Sequence, residues 1–131
     1  MPFATIKIMR LVLSAALILA VLPVLPVHAQ GYSSEMVDEQ IRKMQSDYDQ
    51  GKDWASRGLD YYDQGQYSQS CAAFRNAVQF FQASASSAKA LARSNSANVN
   101  SRELYAMGED ADDMARRADY NAGGICEMAG N

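Results

Sequence analysis

The chain has 131 residues, with 12 Lys plus Arg, 15 Asp plus Glu, one histidine and two cysteines. That length suits one small domain, and the acidic balance makes nucleic acid a poor partner. The one imidazole, His28, falls in a segment that reads as a removable leader; without it, Ser-His-Asp and Cys-His nucleophilic schemes and most catalytic zinc sites have no basis.

In that leader, Lys7 and Arg10 precede the apolar run "LVLSAALILAVLPVL", which closes on Val27-His28-Ala29. A positive start, an apolar centre and small residues at the end are the marks of a secretory signal, with cleavage expected after Ala29. Pro23 interrupts the run before it reaches the roughly 20 residues a bilayer needs, so no stable membrane anchor is expected after cleavage. No cysteine lies at the cut to carry a lipid. Loss of Lys7 and Arg10 leaves ten basic against 15 acidic residues, a net charge of −5. The expected destination is the periplasm, with full secretion as the other outcome.

Beyond the leader, Val37, Ile41, Met44 and Tyr48 recur at helical steps of four, three and four. The tetrapeptide "YDQG" occurs twice, ending at Gly51 and Gly65, and the spacing predicts a helix stop at each glycine. A helix is therefore expected to end at Gly51, a second to run from Trp54 to Gly65, and a third to carry Cys71, Phe74, Val78, Phe81, Ala85, Ala88 and Ala92. The alanine-rich stretch "ASASSAKALARS" is read as a packed continuation of that third helix.

After "NSANVN", Asn100 with Glu103 has the spacing of a capping box, and Leu104, Met107, Ala111, Met114 and Ala118 form the last apolar stripe. The paired glycines of "NAGGICEMAGN" predict a flexible tail over 123–131 that folds back to present Cys126 to the domain. No window alternates as a strand would. The predicted architecture is an all-α, antiparallel bundle of about four helices over 34–122.

Cys71 and Cys126 are the only cysteines. In an oxidising compartment an internal disulfide is the first reading. Two separate thiols, or an intermolecular bridge through Cys126, compete with it. There is no C-x-x-C pair for redox catalysis.

The stretch "WASRGLDYYDQGQYSQSCAAFRNAVQFF" resembles a tetratricopeptide repeat, a helix-turn-helix unit with the signature W-x2-L-G-x2-Y followed by A-x3-F. Trp54, Gly58, Tyr61, Gly65, Tyr67, Phe74 and Ala77 match its spacing, while Arg57, Ser70 and Gln82 depart from its leucine, alanine and closing proline. The resemblance covers one copy, 52–82. A single copy cannot bury its apolar face, so flanking helices or self-association into a homo-oligomer must cover it.

What the resemblance implies is a scaffold for protein contacts. Arg57, Asp60 and Gln64 would line its binding face, and Tyr62, turned away from Tyr61, is expected to be the most exposed tyrosine. Glu109, Asp110, Asp112 and Asp113 lack the spacing of a calcium loop and read as a charged helix face with pairs Asp112–Arg116 and Asp113–Arg117. Carboxylate pairs such as Asp60 with Asp63 have no evident cleft in which to act. The sequence thus predicts an exported, non-enzymatic adaptor for a protein partner, with no metal or cofactor; a small-molecule or lipid carrier is the alternative.

Overall fold

The computed structural model of the protein describes residues 33–94 and 99–130. The expected leader and its cleavage site lie outside the described residues. Among the described residues the chain forms no strand and three helices: α1 over Ser34–Asp63, α2 over Tyr67–Ala92 and α3 over Ser101–Met128. The all-helical class is as the periodicity implies, with three helices in place of four.

Helix α1 begins where the Ser33 hydroxyl accepts from the Met36 backbone N–H at 3.3 Å, relieving one of the unpaired donors of the first turn. Its buried positions are Val37, Met44, Gly51 and Gly58, one in every seven residues. A seven-residue step is nearly two turns, so all four face one neighbour. The stop expected at Gly51 does not form. Gly51 keeps a right-handed backbone, and Gly65 and Gly130 are the described glycines with positive φ. At Gly65, with φ 73°, the helix does end. The Gln66 N–H returns to the Tyr61 carbonyl at 2.8 Å and the Gly65 N–H to that of Tyr62 at 2.9 Å, a left-handed cap that uses up the last carbonyls.

Helix α2 then runs back antiparallel to α1. Seven residues back along α1 match seven forward along α2: the Phe74 ring seats on Gly58 and the Phe81 ring on Gly51. A methyl group at either glycine would stand 2.7 Å from the ring. Two buried serines hold the same register, Ser70 Oγ donating to the Gly58 carbonyl at 2.7 Å and Ser84 Oγ to that of Met44 at 2.9 Å. Gly51 is therefore needed for close approach of two helices, and the glycine reads as a stop only while the neighbour is unknown.

Helix α3 opens on Asn100, whose side chain accepts from the Glu103 N–H at 3.2 Å, and Ser101 Oγ donates to the Ala92 carbonyl at 2.8 Å, tying its start to the end of α2. It buries Leu104, Gly108, Ala111, Ala115, Ala118, Ala122, Ile125 and Cys126, most of them small, which lets its backbone come close to α2. The flexible tail expected over 123–131 is corrected: Gly123 and Gly124 lie inside α3, which continues to Met128. Two helical glycines cost about 2 kcal/mol relative to alanine, and the burial of Ile125 and Cys126 just beyond them offsets that. Cys126 reaches Cys71 along the helix axis, without a fold-back, at an S–S distance of 1.97 Å.

On the outer side of the α2–α3 seam, Lys89 lays its stem over Gly108 and pairs with Glu109 at 3.2 Å and with Asp112. Asp112 was expected to pair with Arg116; the inter-helix lysine takes it, and Arg116 stands 3.6 Å from Asp113. The Asp113–Arg117 pair forms as its spacing implies, at 2.8 Å.

Helix α2 is the middle element. It packs along α1 on one side and α3 on the other, while α1 and α3 scarcely meet. The result is a bent layer of three helices with a trough between the outer two.

Candidate functional site

The trough has two hollows. In the first, Met44, Gln45, Tyr48 and Asp49 of α1 face Glu103, Ala106, Met107 and Asp110 of α3 above a floor at Ser84, enclosing about 590 Å³. In the second, about 420 Å³, Leu59 and Tyr62 of α1 face Tyr120, Asn121, Gly124, Ile125 and Met128 of α3 above Phe74. Tyr48 and Tyr62, or Met107 and Asn121, are separated by about four turns, roughly fourteen residues, so the two hollows share one face of each helix. They lie in line along α2, between the same two outer helices.

The two segments differ in chemistry. Three carboxylates, Asp49, Glu103 and Asp110, line the first and no cation does; the second has no charged lining residue. Across the first, the Tyr48 hydroxyl donates to Asp110 Oδ2 at 2.8 Å. Burial of the ring, and then the Asp110 carboxylate that accepts its hydrogen bond, push the Tyr48 pKa up to about 12. Tyr48 is held from below by an edge-on contact with Phe81, 5.4 Å between ring centres. At the rim, Lys52 pairs with Asp49 at 3.2 Å and stands 5.4 Å from the centre of the Tyr48 ring. Among the described residues no Lys or Arg lies within ion-pair distance of Glu103 or Asp110.

The second segment exposes large apolar side chains. Leu59 is 54% exposed, Met128 53% and Tyr120 84%, with Tyr62 at 41%. Tyr120, ahead of Tyr62, is the most exposed of these tyrosines, because position 120 lies off the α2-facing stripe of α3. Scattered exposed apolar residues are ordinary, but a row along a concave strip is the kind of surface that proteins cover.

The residues singled out from the repeat resemblance are dispersed. Tyr62 lines the trough. Arg57 is exposed on the opposite flank of α1, its guanidinium 4.8 Å from the Trp54 ring centre. Asp60 points outward, and Gln64 is the residue capping α1. Of the motif residues, Gly58, Phe74 and Ala77 are buried and Trp54, Tyr61 and Tyr67 are half-buried along the α1–α2 seam, which turns at Gly65. Helices α1 and α2 extend well outside 52–82, so the hairpin is longer than the stretch that carries the resemblance.

Sequence reasoning placed Tyr48 and Met107 on packing stripes and missed Leu59 and Met128. Leu59 carried a signal: it is a large apolar residue off every stripe. The Tyr48–Asp110 bond had none, since its partners are 62 residues apart.

Among the described residues no three His, Cys, Asp or Glu side chains converge to hold a metal ion, and no helix is long and apolar enough to cross a membrane. Compared with models of known families, with curated proteins and with solved structures, the chain matches none.

Proposed function

We propose that the chain is an exported, non-enzymatic helical adaptor that holds a protein partner by seating one of its helices between α1 and α3. The observation that carries this reading is the uncovered trough: two outer helices flank a third and turn Leu59, Tyr62, Tyr120 and Met128 toward a shared open hollow. A fourth helix laid there would complete a four-helix packing, and helix-in-groove binding uses this arrangement of apolar anchors. The resemblance to a protein-binding repeat agrees with it, and the paired cysteines suit an oxidising compartment.

Photo-crosslinking residues placed singly at Tyr62 and Met107, and at Arg57 on the far flank, test the surface. One identified protein, captured through the trough positions alone and then bound by the purified chain, is the expected result. Equal capture from both flanks overturns the assignment. A carrier is the second reading, favoured by the size of the first hollow, which lies within the roughly 300–1,000 Å³ of small-molecule sites. Native mass spectrometry separates the two, because a carrier purifies with a bound small molecule.

A further inference from the structure

Resting on the adaptor reading, we propose that the trough selects a particular kind of helix: amphipathic, with Arg or Lys flanking its apolar face at one end and large apolar residues alone at the other. The two segments argue it together. The first presents Met107 and the Tyr48 ring between Asp49, Glu103 and Asp110, with no cation in the lining; the second presents apolar groups and one amide. Glu103 and Asp110 are seven residues apart on α3, a rise of about 10 Å, so two basic residues seven apart on a parallel or antiparallel helix can meet both.

The carboxylates are poised for this. Asp49 is already shared with Lys52, whereas Asp110 is served by one neutral hydroxyl and Glu103 by no cation among the described residues. A charged donor makes a shorter and stronger bond to a carboxylate than a neutral one, and a guanidinium can engage both oxygens. An incoming Arg at Asp110 therefore adds to the Tyr48 bond, since a carboxylate has room for several donors. A helix with acidic residues there would bring like charges together as water leaves, so the same walls reject it.

The test uses the oxidised, leader-free chain and three synthetic helices of about 20 residues. The first carries a Leu stripe flanked at one end by two Arg seven apart. The second replaces the two Arg with Glu, and the third keeps Arg but replaces the Leu stripe with Gln. Anisotropy titration is expected to rank the first at least about tenfold tighter than either other, with the preference over the Glu helix falling several-fold between about 50 and about 200 mM salt, over which the screening length falls from about 14 to about 7 Å.

Glu103→Gln with Asp110→Asn should remove most of the preference for Arg over Glu. Equal binding of the Arg and Glu helices overturns the charge selection and leaves the adaptor reading standing. Equal binding of the Arg helix with and without its Leu stripe reduces the site to surface attraction and overturns the proposal as well. Failure of every striped helix to bind, with the crosslinked partner engaging the far flank, removes the adaptor surface itself. The peptide comparison on the unaltered chain needs no variant, so a folding defect in the double mutant cannot obscure the answer.

Discussion

Gly58 lies beneath the ring of Phe74, so close that a methyl group on it would stand 2.7 Å from the ring. The same relationship recurs seven residues away between Gly51 and Phe81. In both pairs a glycine that weakens its own helix by about 1 kcal/mol opens the backbone surface on which an aromatic ring packs.

Alanine at either position should therefore destabilise the protein although alanine is the better helix former. Overpacking costs about 1–3 kcal/mol, which outweighs the propensity gain. Gly58→Ala is expected to lower stability by about 1 kcal/mol or more in denaturant titration, and Phe74→Leu in that background should recover part of it. A more stable Gly58→Ala chain would contradict the close seating of the ring.

The opposite holds at Gly123 and Gly124, where an added methyl group meets nothing within 4 Å. Each alanine there should raise stability by about 0.4–1 kcal/mol. Gly124 borders the trough, so Gly124→Ala combines higher stability with any change in partner affinity, and Gly123→Ala serves as the control off the lining.

The Cys71–Cys126 bond joins residues 55 apart, pinning the last turn of α3 to the start of α2. Closing a loop of that size stabilises by about 4 kcal/mol on the chain-entropy model. Reduction, or Cys71→Ala with Cys126→Ala, should lower the melting temperature by many degrees and expose the amides of 123–128 to hydrogen exchange first, because the two glycines then lose the bond that pins the turn beyond them. Unchanged exchange in that turn would show that burial alone maintains it.

Tyr48 is pushed from 10.0 up to about 12 by burial and by Asp110. Because the folded value lies above the unfolded one, its contribution to stability is fully present below pH 10 and is lost as pH rises from about 10 to 12. Ultraviolet titration should resolve a tyrosine component ionising at about 12, and Tyr48→Phe should remove that component. Asp110→Asn should lower the Tyr48 value toward the ordinary range without abolishing the shift, since burial remains.

Much of the helical pattern was open to reading from local chemistry. Asn100 caps α3, Gly65 ends α1, and the stripe of Phe74, Phe81, Ala85 and Ala88 is buried on α2, because capping, left-handed backbone and apolar periodicity act within a few residues. Gly51 and the Gly123–Gly124 pair were misread for one reason. A glycine's local penalty is about 1 kcal/mol, and whether it breaks a helix depends on what packs there.

By itself the sequence determined the all-helical class, the reversal at Gly65 and the availability of two cysteines for one bond, since each follows from backbone geometry or composition. Tertiary packing decided that three helices form among the described residues, that Phe81 rests on Gly51, that Tyr48 meets Asp110, and that α1 and α3 stay apart to leave a trough. Those outcomes depend on contacts between residues tens of positions apart, where side-chain volume and a shared charge act only after the helices have come together.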